Sequence, residues 1–196
     1  MATFEVESLV IQDVHTSPKG IKTAALTTAQ KRPLLYQAES AKAPFGPSNF
    51  EKDELAPRQN IELRVSQEDV DFFERLDEFI IQYLVVHSER IFKKPLLIEQ
   101  VKDRYHGLLK YHEKHDPLLK CKINMPKSTN PCRYWAENGT RTDMPTDWRS
   151  TDLKPRLHLS HLWIMGQSCG IVANLTDVLV REESHAFPLA GNMSDE

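Results

Sequence analysis

The stretch LKPRLHLSHLWIMGQSCGIVANLTDVLVR, residues 153–181, decides the fold and is the longest apolar, strand-like region of the chain. Residues 156–165 alternate apolar with polar side chains at first and then become uniformly apolar. Residues 171–180 are rich in β-branched side chains, and the loop Gly166-Gln-Ser-Cys-Gly170 joins the two runs. This pattern predicts a long β-hairpin. Strands that begin half-exposed and end buried on both faces are typical of a small closed or sandwiched sheet.

The composition is that of an ordinary globular protein of 196 residues, with 25 basic against 28 acidic residues and a net charge of -3. Charge alone therefore does not indicate a nucleic-acid partner. No apolar run reaches the roughly 20 residues that span a bilayer, so we expect no membrane segment. The acidic N-terminus does not resemble a signal peptide, and the three cysteines lack a C-x-x-C pair. An intracellular, reducing compartment is expected, such as the cytoplasm or nucleus of a host cell.

Further strands are predicted on both sides of a helical region by alternation and by turn residues. They cover Phe4 to Ile11 with a bulge at Ser8, residues 21–26, 33–38, 59–65 and 118–125, and a short run at 133–135. The strand at 118–125 has clear sidedness, with its apolar residues on one face and Lys120 and Lys122 on the other.

Apolar residues at every third or fourth position predict a helix over residues 67–90. Ser66 is placed as its N-cap, with Asp69 three residues later. A shorter helix is predicted over 97–105, with Gly107 as its C-cap.

The order of strands, helical pair and strands argues against a parallel βαβ array. It predicts a mainly β fold: an OB-like antiparallel barrel with one long and one short helix. We expect one domain over residues 1–183, with the helical insertion at about 66–106. Residues 184–196 are predicted to form a flexible tail with an acidic tip.

The sequence contains no Walker A loop, G-x-G-x-x-G or H-E-x-x-H, three common motifs of nucleotide binding and zinc-dependent hydrolysis. No cofactor is expected. His112 and His115 could share a metal ion, but solvated or core histidines are favoured over a zinc site. His158 and His161 are predicted to point to opposite faces of their strand. For His161, a hydrogen-bonded core position or an outward turn at a bulge is favoured over a catalytic base.

Basic and aromatic residues occur together between residues 110 and 156. Cations that follow phosphates and aromatic planes that stack on bases are the two features that a single-stranded nucleic acid requires. The alternative is a solvated lysine face beside core aromatics. The candidate binding residues are Lys110, Tyr111, Lys120, Lys122, Lys127, Arg133, Tyr134, Trp135, Trp148 and Arg156. Trp163 is assigned to the core because it lies within an apolar run.

Two segments resemble the single-stranded DNA-binding proteins of phages and large DNA viruses. One is residues 111–125, with DPLLKCKI at 116–123, and the other is residues 153–180, with LWIM at 162–165 and Gly-Ile at 170–171. The Pro-Phe-Gly at 44–46 stands in compatible order. The resemblance implies an OB-fold barrel that coats single-stranded DNA in replication or recombination, with Lys120 and Lys122 on the DNA backbone. RNA as the ligand, self-association and contacts with replication proteins are left open.

Two other functions are considered beside DNA binding. A protein-interaction module would use the helix at 67–90 as its docking surface, with Phe72 and Phe79 exposed. An enzyme with an unmarked site would join His112 or His115 to Asp116 in a deep pocket.

Overall fold

The structure is a computed structural model that describes residues 4–49 and 56–181, and the predicted tail at 184–196 lies outside these residues. The strands are β1 (Val10–Ile11), β2 (His15–Thr16), β3 (Lys22–Thr27), β4 (Leu34–Gln37), β5 (Ala41–Lys42), β6 (Arg58–Val65), β7 (Tyr105–His106), β8 (Leu109–His112), β9 (His115–Asn124), β10 (Arg133–Trp135), β11 (Arg141–Thr142), β12 (Asp152–Met165) and β13 (Ser168–Arg181). The helices are α1 (Gln67–Val86), α2 (Ser88–Phe92) and α3 (Ile98–Lys102), with a 3-10 turn at Val6–Ser8.

A closed ring of five strands forms the centre of the fold. β12 and β13 pair antiparallel along their whole length. β13 then pairs in parallel with β9, β9 antiparallel with β6, β6 with β5, and β5 returns to β12. Because each strand has a partner on both sides, the sheet closes into a barrel. The predicted OB-like barrel with one long helix is confirmed.

The predicted β12–β13 hairpin is present, but its connection is shorter than expected. The turn is Gly166-Gln167, and Cys169 and Gly170 already lie in β13. Gly166 has a φ of 60°, which suits the tight turns that join antiparallel strands.

The sidedness of β9 agrees with the prediction. Leu119, Cys121 and Ile123 are buried in the barrel, whereas Lys120 and Lys122 are partly exposed on its outer face. The alternating pattern is therefore sufficient to place both lysines outside the core.

The long helix α1 begins at the predicted N-cap. Ser66 and Asp69 form a reciprocal capping box, in which each side chain accepts a hydrogen bond from the backbone N–H of the other. The helix ends at Val86, earlier than predicted. The buried Asp69 also accepts a hydrogen bond of 2.5 Å from the Tyr36 hydroxyl of β4, and the Tyr36 ring stacks on Phe72 with centroids 4.3 Å apart. These contacts attach α1 to the sheet.

Three local predictions are wrong. Val6–Ser8 form a 3-10 turn inside the predicted first strand, which is reduced to Val10–Ile11. The second helical segment is limited to Ile98–Lys102. Gly107 does not cap it, because β7 lies between them; a Cβ on Gly107 would lie 2.4 Å from the Asp77 carboxylate.

We expect Tyr36→Phe to lower the free energy of unfolding by about 1.5–3 kcal/mol, because it removes a donor from a buried carboxylate. Tyr111→Phe is the matched control: its hydroxyl also bonds a carboxylate, Glu74 at 2.6 Å, but on the surface. The control should lose less than about 1 kcal/mol. Urea denaturation of both variants checks this, and equal losses would contradict the assigned role of the Tyr36–Asp69 bond.

Candidate nucleic-acid interface

A groove of about 600 Å³ crosses the outer face of the barrel over β6, β9 and β13. Three predicted binding residues line it: Lys110 from β8, and Lys120 and Lys122 from β9. The lysines come together because β8 and β6 flank β9, with Glu62 opposite Lys120 and Asn60 opposite Lys122. The groove is open to solvent and carries both cations and aromatic rings.

Trp163 lies in this groove, so its assignment to the core is wrong. A register shift between Leu159 and His161 leaves Ser160 as an extra residue in β12. Such a bulge reverses which side chains face inward. Leu162 is therefore buried after the bulge, and Trp163 is partly exposed on the outer face.

The Trp163 ring stacks on the His106 ring, with centroids 5.9 Å apart and an interplanar angle of 18°. Gly170 of β13 lies between their strands. A Cβ at this position would lie 2.6 Å from the His106 carbonyl oxygen and 3.1 Å from the Trp163 ring, so the contact requires glycine. The result is a flat aromatic surface in the wall of the groove.

Phe45 forms a second aromatic surface of the groove and is 70% exposed. The turn that presents it contains Gly46, whose φ of 64° is in the left-handed region. Gly46 packs on the ring of Trp148, so this buried tryptophan supports the loop below Phe45. In the sequence, Phe45 is a single apolar residue within the turn sequence Pro-Phe-Gly-Pro and lies outside any periodic apolar segment. This pattern could have indicated that its ring is exposed.

The lysines of the groove differ in how far their charges are compensated. Lys110 forms an ion pair with Glu62 at 2.9 Å. Lys122 donates to the neutral side-chain oxygen of Asn60. Partial burial, together with the Arg58 cation, lowers the pKa of Lys122. An anion beside Lys122 would relieve both effects.

Several predicted residues lie elsewhere. Tyr111 is 61% exposed but faces Glu74 of α1, and Lys127 is exposed in the turn after β9. Tyr134 and Trp148 are only 5% and 8% exposed and pack edge-on, with centroids 6.2 Å apart. Because their faces are covered by protein, both rings belong to the core, and we leave them out of the interface.

Arg133, Trp135 and Arg156 are brought together around Asp177, at a separate cavity of about 410 Å³. Asp177 accepts hydrogen bonds from Arg133 at 2.8 Å and from the Trp135 indole at 3.0 Å, and Arg156 lies 3.8 Å away. Burial raises the Asp177 pKa, but the two hydrogen bonds and the arginine charges outweigh it and hold the pKa below its usual value. Arg141 covers the Trp135 ring at 4.8 Å. This cluster is largely compensated within the protein.

The features expected of the two other functions are not seen. On α1, Phe72 is buried and Phe79 packs partly against the core, rather than being exposed for docking. His112, His115 and Asp116 are exposed on the β8–β9 hairpin, rather than gathered in a deep pocket. Within residues 4–49 and 56–181, no group of three or more potential metal ligands occurs. Nor does any helix of these segments have the length and apolarity that crossing a membrane requires.

His158 and His161 are on the same side of β12, which corrects the predicted opposite faces. The bulge at Ser160 turns His161 outward, and both histidines line a cavity of about 580 Å³. The outward-turning bulge was one of the two alternatives predicted for His161.

Comparison with solved structures finds matches to two phage proteins. The chain matches the single-stranded DNA-binding protein gp2.5 of bacteriophage T7 with a TM-score of 0.50 and 15% identity, over 76% of this chain and 86% of that one. It also matches the single-stranded DNA-binding protein of bacteriophage Enc34 in complex with single-stranded DNA, with a TM-score of 0.41 and 10% identity, over 91% and 95%. No protein-family model and no curated protein sequence matches the chain. The likeness to the T7 protein concerns the fold, and agrees with the OB-like barrel that the sequence predicted.

Asp77 of α1 supports the segment that carries His106. It accepts a hydrogen bond of 2.7 Å from the Tyr105 hydroxyl and another from the backbone N–H of Leu108. Burial raises its pKa to about 6, although these hydrogen bonds and the charge of Lys120 act in the opposite direction. Above this pH, the folded protein holds a half-buried carboxylate behind the groove.

We expect Asp77→Asn to gain stability relative to wild type as the pH rises from about 4 to 7. Because the pKa of Asp77 is raised in the folded state, its protonated carboxyl stabilises the wild-type fold at a pH below the unfolded-state pKa. This stabilisation is lost as the pH rises through about 6. Over this range, the free energy of unfolding of Asp77→Asn should rise by about 3 kcal/mol relative to that of wild type. Urea denaturation across this range measures it, with the exposed Asp71→Asn as control. Parallel stability curves for wild type and Asp77→Asn would rule out a buried titrating carboxylate.

Proposed function

We propose that the chain binds single-stranded DNA, without sequence preference, in the groove lined by Lys110, Lys120 and Lys122. The observation that carries this proposal is that these lysines lie beside two aromatic surfaces, Phe45 and Trp163, in one open groove. Phosphates would contact the lysines while bases stack on the rings, which gives affinity whatever the base. The proposed activity is binding, with no covalent step.

The fold supports the same function. The T7 protein whose structure the chain resembles is a single-stranded DNA-binding protein. By analogy, we propose that this protein coats single strands during replication or recombination inside a host cell. Such coating does not require a basic protein overall. The net charge is -3, but acids more than about 8–10 Å from the groove are screened at physiological salt.

Lys120→Glu/Lys122→Glu should lower affinity for labelled oligo-dT at least about tenfold, measured by fluorescence anisotropy. Both side chains face away from the core, so the fold should persist, which circular dichroism verifies. For wild type, log K should fall against log salt with a slope of about -2, because three phosphate contacts contribute roughly 0.7 each. Lys114→Glu/Lys127→Glu makes the same charge change at exposed positions outside the groove. If this control loses as much affinity, net charge rather than the groove governs binding.

Phe45→Ala should weaken oligo-dT binding by about 5- to 150-fold, because stacking on one base contributes about 1–3 kcal/mol. Tyr111→Ala removes a similarly exposed ring outside the groove and should bind like wild type. The reverse ranking would favour the original assignment of Tyr111 as a stacking residue. Titration with oligo-rU in parallel compares RNA with DNA as the ligand.

A further inference from the structure

A second cavity, here called the histidine pocket, adjoins the groove on the outer face of the barrel and has a volume of about 580 Å³. Four strands line both cavities. On each of them, a residue that lines the histidine pocket is two positions along the strand from one that lines the groove. The steps are Asn60 to Arg58 on β6, Lys122 to Asn124 on β9, Val172 to Asn174 on β13, and Trp163 to His161 on β12. Such a step covers about 6.6 Å along a strand. This is comparable with the separation of successive phosphates in an extended single strand.

The bulge at Ser160 builds the histidine side of this pocket. Without the extra residue, His161 would face the core while His158 faced outward. With it, both imidazoles are half-buried and line the same pocket. The Ser160 hydroxyl oxygen lies 2.9 Å from Nδ1 of His161, which orients this ring.

Two arginines, Arg58 and Arg133, line the pocket together with the two imidazoles. Burial lowers the pKa of both histidines, and for His161 the charge of Arg58 and the proximity of His158 lower it further. Arg58 itself donates to the neutral side-chain oxygen of Asn174 at 2.7 Å. It also lowers the pKa of Lys122 in the groove. The like charges near His161 and Lys122 thus favour a bound anion between them.

We propose that the histidine pocket binds a phosphodiester group of the same single strand, one step beyond the groove, through Arg58, His158 and His161. This inference rests on the proposed function, and it extends the binding site across the β12–β13 hairpin. A guanidinium and two imidazolium groups make charge-assisted hydrogen bonds to phosphate oxygens. Asn174, whose side-chain oxygen accepts from Arg58, also lines this cavity.

Binding through this pocket should depend on pH. Both histidines are neutral in the free protein near pH 8, and a phosphate favours their protonated form. Affinity for strands that reach the pocket should therefore rise as the pH falls toward about 6. The other charged groups at the pocket are Arg58 of β6 and Arg133 of β10, the latter paired with Asp177. The partners of the two histidines on the adjacent strands are uncharged: Ala25, Leu35, Val172 and Asn174.

The test compares two lengths of labelled oligo-dT, of about four and about twelve nucleotides, near pH 6 and near pH 8. His158→Gln/His161→Gln should weaken binding of the longer strand at least about fivefold near pH 6 and remove its pH dependence. Binding of the short strand should not change. The salt slope for the longer strand should become shallower by about 0.7 for each lost phosphate contact.

His112→Gln/His115→Gln is the matched control, because it removes two histidines from an exposed hairpin outside both cavities. It should behave like wild type with both strands. If the pocket variant is poorly folded, Arg58→Gln makes the same test from an exposed position on β6. If the pocket variants weaken both lengths equally, or neither, the inference is overturned, while short-strand binding by the wild type still supports the proposed function. If wild type binds neither length, the proposed function fails as well.

Discussion

The pairing of β12 with β13 is the constraint on which the rest of the structure depends. It supplies two of the five barrel strands, and each of these strands also receives the partner that closes the ring. The extra residue Ser160 then sets the direction of every side chain after it. Leu157 and Leu159 fill the barrel before the bulge, and Leu162 and Ile164 fill it afterwards. As a result, Trp163 and His161 are released to the outer surface, where a ligand can contact them.

The helix α1 stabilises this outer surface without covering the groove. Asp69 near its N-terminus accepts the Tyr36 hydroxyl of β4, and Asp77, two turns later, accepts the Tyr105 hydroxyl of β7. Tyr105 precedes His106, which stacks on Trp163. Two carboxylates of one helix thus fix two strands of the sheet, β4 and β7. Partial desolvation of the Asp77 carboxylate costs free energy above about pH 6, whereas its hydrogen bond to Tyr105 holds β7 in place.

Local patterns predicted what depends on neighbours along the chain. Alternation placed Lys120 and Lys122 on one outer face, and the spacing of Ser66 and Asp69 identified the start of α1. What the sequence could not show depends on pairing between distant segments. The Ser160 bulge is defined by the pairing with β13, so the apolar run at 162–165 gave no sign that Trp163 faces outward. Burial of Tyr134 in β10 and of Trp148 likewise follows from packing between distant segments, because neither residue lies in a periodic run long enough to indicate which side is covered.

Distant pairing also determines which cations remain available to a ligand. Arg133 and Arg156 are far apart in sequence, but both reach Asp177, whose carboxylate is largely committed to them. Lys122 instead has a neutral amide partner, and within residues 4–49 and 56–181 no acid forms an ion pair with it. Lys110 is intermediate, because a phosphate must compete with Glu62 for it. Among the described residues, Arg58 and Lys122 therefore contact neutral amides rather than acids, and a chain with a net negative charge still presents a local cationic surface there.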